Sequence, residues 1–258
     1  MTRIGTVALN TFREAVRDRV LYNLVFFALV MMAAAILVGQ ISIDIENIVI
    51  VSLGLSAISI IGLLMSVFIG VGLVSKEIDK RTLYALLAKP LRRWEFILGK
   101  FGGLALTLTV NTAAMAAGLF LIMFYVKHSI EGGDAVVLVA VYFILLKLAL
   151  VVALAMLFSC FTTPLLAILF TAGLYIAGLF VHEMRNLEPG TMTPALGGLL
   201  RGISYLLPNF ENFDAMGAAA HGRAIPGMLI AQNTVYAALY CAIVLAVAVA
   251  IFSQRNLK

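Results

Sequence analysis

The residues with the most chemical potential gather in one stretch, Ser75–Lys100. It holds seven cations (Lys76, Lys80, Arg81, Lys89, Arg92, Arg93, Lys100) and three acids (Glu77, Asp79, Glu95) between two long apolar runs. The Thr82 hydroxyl suits the cap of a helix, where it accepts from a free backbone N–H of the first turn. Leu83, Leu86 and Leu87 then fall on one helical face. Pro90 ends the helix, because the residue before a proline is pushed out of helical geometry. Three leucines among cations make docking chemistry rather than catalysis: apolar anchors supply affinity in a partner's groove and rim charges set register. The competing reading is that the cations fix topology and touch lipid headgroups along their aliphatic stems.

Other candidates are sparser. Lys147 sits midway along the apolar run Ala135–Cys160, and no apolar run contains a carboxylate to pair with it. An ion in that setting is costly and marks a functional site by default. Two readings stay open: contact with an anionic substrate or headgroup, or a lysine neutralised or bonded to carbonyls and hydroxyls at a subunit seam. Asn23, Ser66 and Asn111 are the polar positions that, with Lys147, are expected along a substrate pathway; Ser56, Ser59 and Thr107 are further polar groups there. His182, Met184 and Met192 have the soft donors that suit Cu(I). The chain has 11 methionines, which also serve as ordinary packing, so no metal is assigned.

Catalytic sets are missing from the sequence. There is no H-E-x-x-H and no G-x-S-x-G, and no paired carboxylates lie in the apolar runs. Gly99-Lys100 is not a phosphate-binding loop, since Trp94 stands where its first glycine belongs. Any ATP hydrolysis belongs to another chain.

The elements that must position these residues follow from composition. The chain has 258 residues, 63% hydrophobic and 12% charged, with mean hydropathy +1.07. That excludes an ordinary soluble domain and indicates an integral membrane protein. Crossing the hydrocarbon takes about 20 apolar residues, and backbone groups in lipid must be satisfied internally, so the runs are helices. Six are expected: 20–40, 48–74, 97–126, 135–160, 165–182 and 226–252. Residues 1–19 are amphipathic, with Arg3, Thr6, Asn10, Arg13 and Arg17 at helical spacing, and read as an interfacial helix; a solvated basic tail is the alternative. Residues 75–96 form the charged elbow. Residues 183–225 form the long segment before the last span, with a short helix predicted after Thr193-Pro194. Cys160 and Cys241 suggest neither a disulfide framework nor a metal cluster.

Lysine and arginine orient the chain. With the N-terminus inside, Arg3, Arg13, Arg17, Arg19, the seven elbow cations, Arg255 and Lys258 are cytosolic. Only Lys127, Arg185, Arg201 and Arg223 fall outside. Both termini are therefore expected in the cytosol. The net charge of +5 reflects this topology and implies no nucleic acid.

At the elbow the sequence resembles a known family. Glu77, Arg81-Thr82-Leu83, Leu86-Leu87, Lys89-Pro90, Arg92 and Gly99-Lys100 are similar to the signature of the short type-2 ABC permeases. The likeness is strongest to the branch associated with multi-copper enzyme maturation. It extends to Phe12–Arg19 and to Leu206-Leu207-Pro208-Asn209. The resemblance implies an all-α membrane protein of six transmembrane helices, with an N-terminal interfacial helix, a cytosolic coupling helix after the second span and a short outer-face helix before the sixth. It implies a transport subunit in the inner membrane, paired with a second copy or a homologous permease, with the first, second and fifth spans at the seam. Gly173, Ala177 and Gly178 would permit close approach there. It also implies a separate dimeric ABC ATPase that carries the ATP and magnesium, docked through Glu77, Arg81, Thr82, Leu83, Leu86, Leu87, Lys89, Pro90 and Arg92. Two rival readings are a non-transporting scaffold for maturing an extracytoplasmic enzyme and an ion-coupled secondary carrier.

Overall fold

The computed structural model describes residues 3–17, 20–41, 46–79, 92–127, 132–186, 198 and 202–254. Among them every regular element is helical. We number the helices α1 (Arg3–Arg17), α2 (Val20–Ile41), α3 (Glu46–Asp79), α4 (Arg93–Lys127), α5 (Ala135–Ser159), α6 (Pro164–Leu179), α7 (Val181–Arg185), α8 (Met216–Ala220) and α9 (Gly227–Gln254). Short 3-10 turns stand at Gly132–Asp134 and Glu211–Phe213. The helix expected after Thr193 lies mostly outside the described residues; within them, 202–206 are helical.

Four helices have the length and apolar composition to cross a membrane: Ile48–Gly72 of α3, Arg93–Val126 of α4, Ala135–Ser159 of α5 and Gly227–Gln254 of α9. They are apolar around their whole circumference, the pattern of a helix with protein on one side and lipid on the other. The lipid-type face is visible in exposed Phe68, Leu121, Leu138, Leu239 and Ile243. α2 has 22 residues and α6 has 16.

α5 is the centre of the bundle. Leu148 and Leu150–Met156 are buried, and α5 packs against α3, α4, α6 and α9. Gly62 and Gly70 on α3 leave room for Leu148 and Ala155 of α5, so the two backbones approach closely. α6 follows a tight turn. Thr162 donates through Oγ1 and N to the Phe158 carbonyl at 2.8 and 3.0 Å, and Pro164 occupies the first helical turn after extended Thr163. Proline suits that position because its missing N–H would be unpaired there anyway.

α1 lies along the first half of α4. Thr11 and Ala15 are buried, while Thr6, Asn10 and Arg13 are exposed. Gly103 makes this possible: a side-chain carbon there would stand 2.5 Å from the Ala8 carbonyl oxygen. The amphipathic stripe is thus covered by protein, and the polar stripe faces outward.

Candidate functional site

Two regions hold the sequence-predicted site residues. The first is the elbow between α3 and α4. α3 continues through Glu77 to Asp79, and α4 begins at Arg93. At about 1.5 Å per residue, α3 and α4 are each about 50 Å long, well beyond a hydrocarbon core of about 30 Å. Arg81, Thr82, Leu83, Leu86, Leu87, Lys89 and Pro90 lie outside the described residues.

The start of α4 is built by its own charges. The Arg92 N–H donates to Glu95 Oε2 at 2.9 Å, half of a capping box. The same acid complements the positive helix end. The Arg92 side chain is exposed. Arg93 turns inward: its Nη1 donates to the carbonyl oxygens of Phe252, at 3.0 Å, and Ser253 in the last turn of α9. Phe96 stacks on Phe252 with centroids 5.9 Å apart. Lys100 is buried, 3.7 Å from Glu14 of α1. Of the seven elbow cations, Arg93 and Lys100 therefore join α4 to the two ends of the chain. Hydrophobic patterning did not flag these roles. The one usable signal was an acid three residues into a helix.

The second region is the middle of the bundle. Lys147 is 6% exposed, and its Nζ donates to Ser59 Oγ of α3 at 2.6 Å. Its partner is thus a hydroxyl of the same chain, inside the bundle rather than at a subunit seam. Ser66 donates to Gly62 O at 2.8 Å, Thr107 to Gly103 O at 2.9 Å and Asn111 to Thr107 O at 2.9 Å. Each bond stays within its own helix, which satisfies a buried polar group without bringing it to a neighbour. Ser66 and Thr107 border a crevice with Met65, Leu104, Leu108 and Val152 that is too narrow for water. Asn23 is on α2. Among the described residues, the bundle joins Lys147 to Ser59 and leaves Ser66 and Asn111 bonded locally.

Sequence reading missed what lies above Lys147. Residues 209–220 fold back into the bundle from the side where α3, α5 and α9 begin. Phe210, Phe213, Ala215 and Ala219 are buried. Phe213 meets Phe143 of α5 edge-on at 6.5 Å, and Ser56 donates to Met216 Sδ at 3.7 Å. Asn233 donates to the Asn212 carbonyl at 2.6 Å, the Asn209 N–H to Tyr236 Oη at 2.9 Å and the Phe210 N–H to the Gly178 carbonyl at 3.2 Å. Gly178 is packed under Pro208 and Phe210 of its own chain, so it is occupied within the subunit. Gly173 is exposed. The available signal was Leu207-Pro208-Asn209-Phe210, an apolar stretch punctuated by two strong turn formers.

The soft-ligand candidates are described only in part. His182 and Met184 sit on α7, with the His182 Nε2 2.8 Å from Asn186 Nδ2. Met192 lies outside the described residues. Among the described residues, no three His, Cys, Asp or Glu side chains converge on a point.

The sequence model of the family described as ABC-2 family transporter protein matches residues 6–257. No curated protein matches the chain.

Proposed function

The chain belongs to the ABC-2 family of transporter proteins, and from that premise we propose a specific working arrangement for this membrane subunit. Six helices span the inner membrane, with α2 and α6 added to the four long apolar ones, and both termini are cytosolic. The elbow is cytosolic and docks a separate ABC ATPase, itself a dimer, which supplies the ATP and magnesium chemistry. Leu83, Leu86 and Leu87 are its apolar anchors, with Arg81, Lys89 and Arg92 at the rim and Glu77, Thr82 and Pro90 shaping the turn.

The observation that carries this reading is the length of α3 and α4. Each is longer than the hydrocarbon is thick, and the charged elbow joins their adjacent ends. A force applied to the elbow therefore reaches two rigid helices directly. Arg93 and Lys100 would pass it on to α9 and α1.

Two copies of the permease, or one with a homologous partner, enclose the passage, and the cargo is exported or extracted. Support comes from the single subunit itself, in which Ser66, Thr107 and Asn111 bond within their own helices. The likeness to the multi-copper maturation branch assigns no metal to this chain.

The test is purification from native membranes in mild detergent, followed by identification of the bound chains. We expect an ATPase with its own nucleotide-binding motifs at one copy per permease. A preparation that transports with no such ATPase would sink the reading. So would an active monomer in nanodiscs carrying one permease and its ATPase.

A further inference from the structure

Lys147 is buried halfway along the central helix with a neutral partner. Its ammonium has three hydrogens, and the structure commits one to Ser59. The flanking turns are apolar: Leu55, Ile58, Ile144, Leu148 and Val151 are each at most 1% exposed. A hydroxyl compensates only part of the loss of hydration of a charge. Asp214 lies exposed in the segment 209–220, and its Oδ1 accepts from the Met216 N–H at 3.0 Å.

The geometry stacks these groups in order. Ser56 and Ser59 are one turn apart on α3, and Phe143 and Lys147 one turn apart on α5. Ser56 and Phe143 touch Met216 and Phe213 of the folded-back segment. Lys147 and Ser59 are therefore the next layer beneath it.

We propose that Lys147 and Ser59 form the seat for the anionic group of an amphiphilic cargo, with the segment 209–220 as the cover over that seat. The ammonium supplies the charge partner and the Ser59 hydroxyl a second hydrogen-bond donor. Once the cover withdraws, the apolar walls favour a hydrocarbon remainder over a fully hydrated anion. The cover withdraws toward the face on which α9 begins. α3 carries both serines and runs on to the elbow, so displacement at the elbow bears on cover and seat together. The word cargo rests on the transporter reading; the seat is tested by binding alone.

The probes are oleate, oleyl alcohol and acetate, added to the full permease–ATPase complex in phosphatidylcholine nanodiscs. Oleate and oleyl alcohol share a tail, and oleate and acetate share a head. We expect oleate to bind the wild type on the order of tenfold more tightly than oleyl alcohol, the scale of one charge-assisted hydrogen bond, and acetate not to bind. Lys147→Gln should reduce oleate to the level of the alcohol, and Lys147→Arg should keep part of the preference. Equal binding of oleate by wild type and Lys147→Gln would overturn the seat.

A second arm separates cargo from resident lipid. Phosphatidylglycerol replaces part of the phosphatidylcholine, and ATP hydrolysis is followed. Cargo stimulates hydrolysis in the wild type and not in Lys147→Gln. A phosphatidylglycerol that co-purifies with the wild type, with neither it nor oleate changing hydrolysis, would overturn the cargo assignment. Absence of an ATPase from native preparations would instead defeat the transporter reading, while oleate binding to the permease alone would still decide the seat.

Discussion

Lys100 Nζ lies 3.7 Å from Glu14 Oε2 and 5.8 Å from the centroid of the Phe96 ring. The pair ties the N-terminal helix to the first turns of α4, just after the elbow. Glu14 is 39% exposed on its side chain and Lys100 is 2%, so one partner is screened and the other is not.

That asymmetry predicts an asymmetric double-mutant cycle. Glu14→Gln should cost about 1 kcal/mol, because solvent screens the acid. Lys100→Met should cost less, because an apolar chain of similar volume occupies the buried space. The double variant should be more stable than the sum of the single effects. Unfolding of the purified chain in mixed micelles by titrated SDS measures all three. Additive effects would show that the two residues do not interact.

Gly103 sets how near α1 comes to α4. Gly103→Val should push α1 off, since the added carbons meet the Ala8 carbonyl and the Thr11 side chain. Thr11→Cys reports the result, because Thr11 is fully buried. A thiol-reactive probe should label it poorly in the wild-type background and at least tenfold faster with Gly103→Val, by analogy with local opening free energies. Equal rates would mean that α1 is seated by other contacts.

Arg93 satisfies carbonyls at the C-terminus of α9, where a cation also complements the helix dipole. Arg93→Ala should destabilise the chain by about 1 kcal/mol and increase hydrogen exchange in the last turn of α9. Arg93→Lys should recover part of this. Exchange confined to the elbow, with α9 unchanged, would contradict the contact.

If the elbow docks the ATPase as proposed, Leu86 and Arg92 should separate docking affinity from docking rate. Leu86→Asp would then place a carboxylate in the partner's groove, which costs several kcal/mol or forces its protonation. The permease should still insert, and ATPase capture should fall below detection. Arg92 is exposed, so Arg92→Glu should slow association and change its salt dependence with a smaller loss of affinity. A pull-down at two salt concentrations reads both. Capture by Leu86→Asp equal to wild type would move the docking surface elsewhere, with the turn Phe161–Pro164 next in line.

Single-cysteine labelling of intact cells checks the orientation. Positions 89 and 258 should be protected from an impermeant reagent, and position 188 should react. Reaction at 89 from outside would reverse the sidedness on which the elbow's role depends.

Much of the architecture was legible in the chain because lipid imposes a simple rule: apolar runs of sufficient length become helices with their backbone bonds closed internally. Ile48–Val74 and Ala135–Cys160 could be read in that way, and so could Pro164 as a helix start. Lys147 stood out for the same reason, as a charge where the rule allows few. Its partner did not stand out. Ser59 is one of several serines on α3 with no sequence feature to separate it from Ser52, Ser56 or Ser66. Only the close crossing of α3 and α5 selected it, because which hydroxyl meets the ammonium depends on the rotation and offset of two helices. Patterning also missed the inward fold of residues 209–220. Its buried residues are held by bonds to Gly178, Asn233 and Tyr236, which arise only when α6 and α9 stand side by side. Arg93 and Lys100 look like any other elbow cations in the sequence. Their partners follow from where α1 and α9 end in space, which local spacing does not encode.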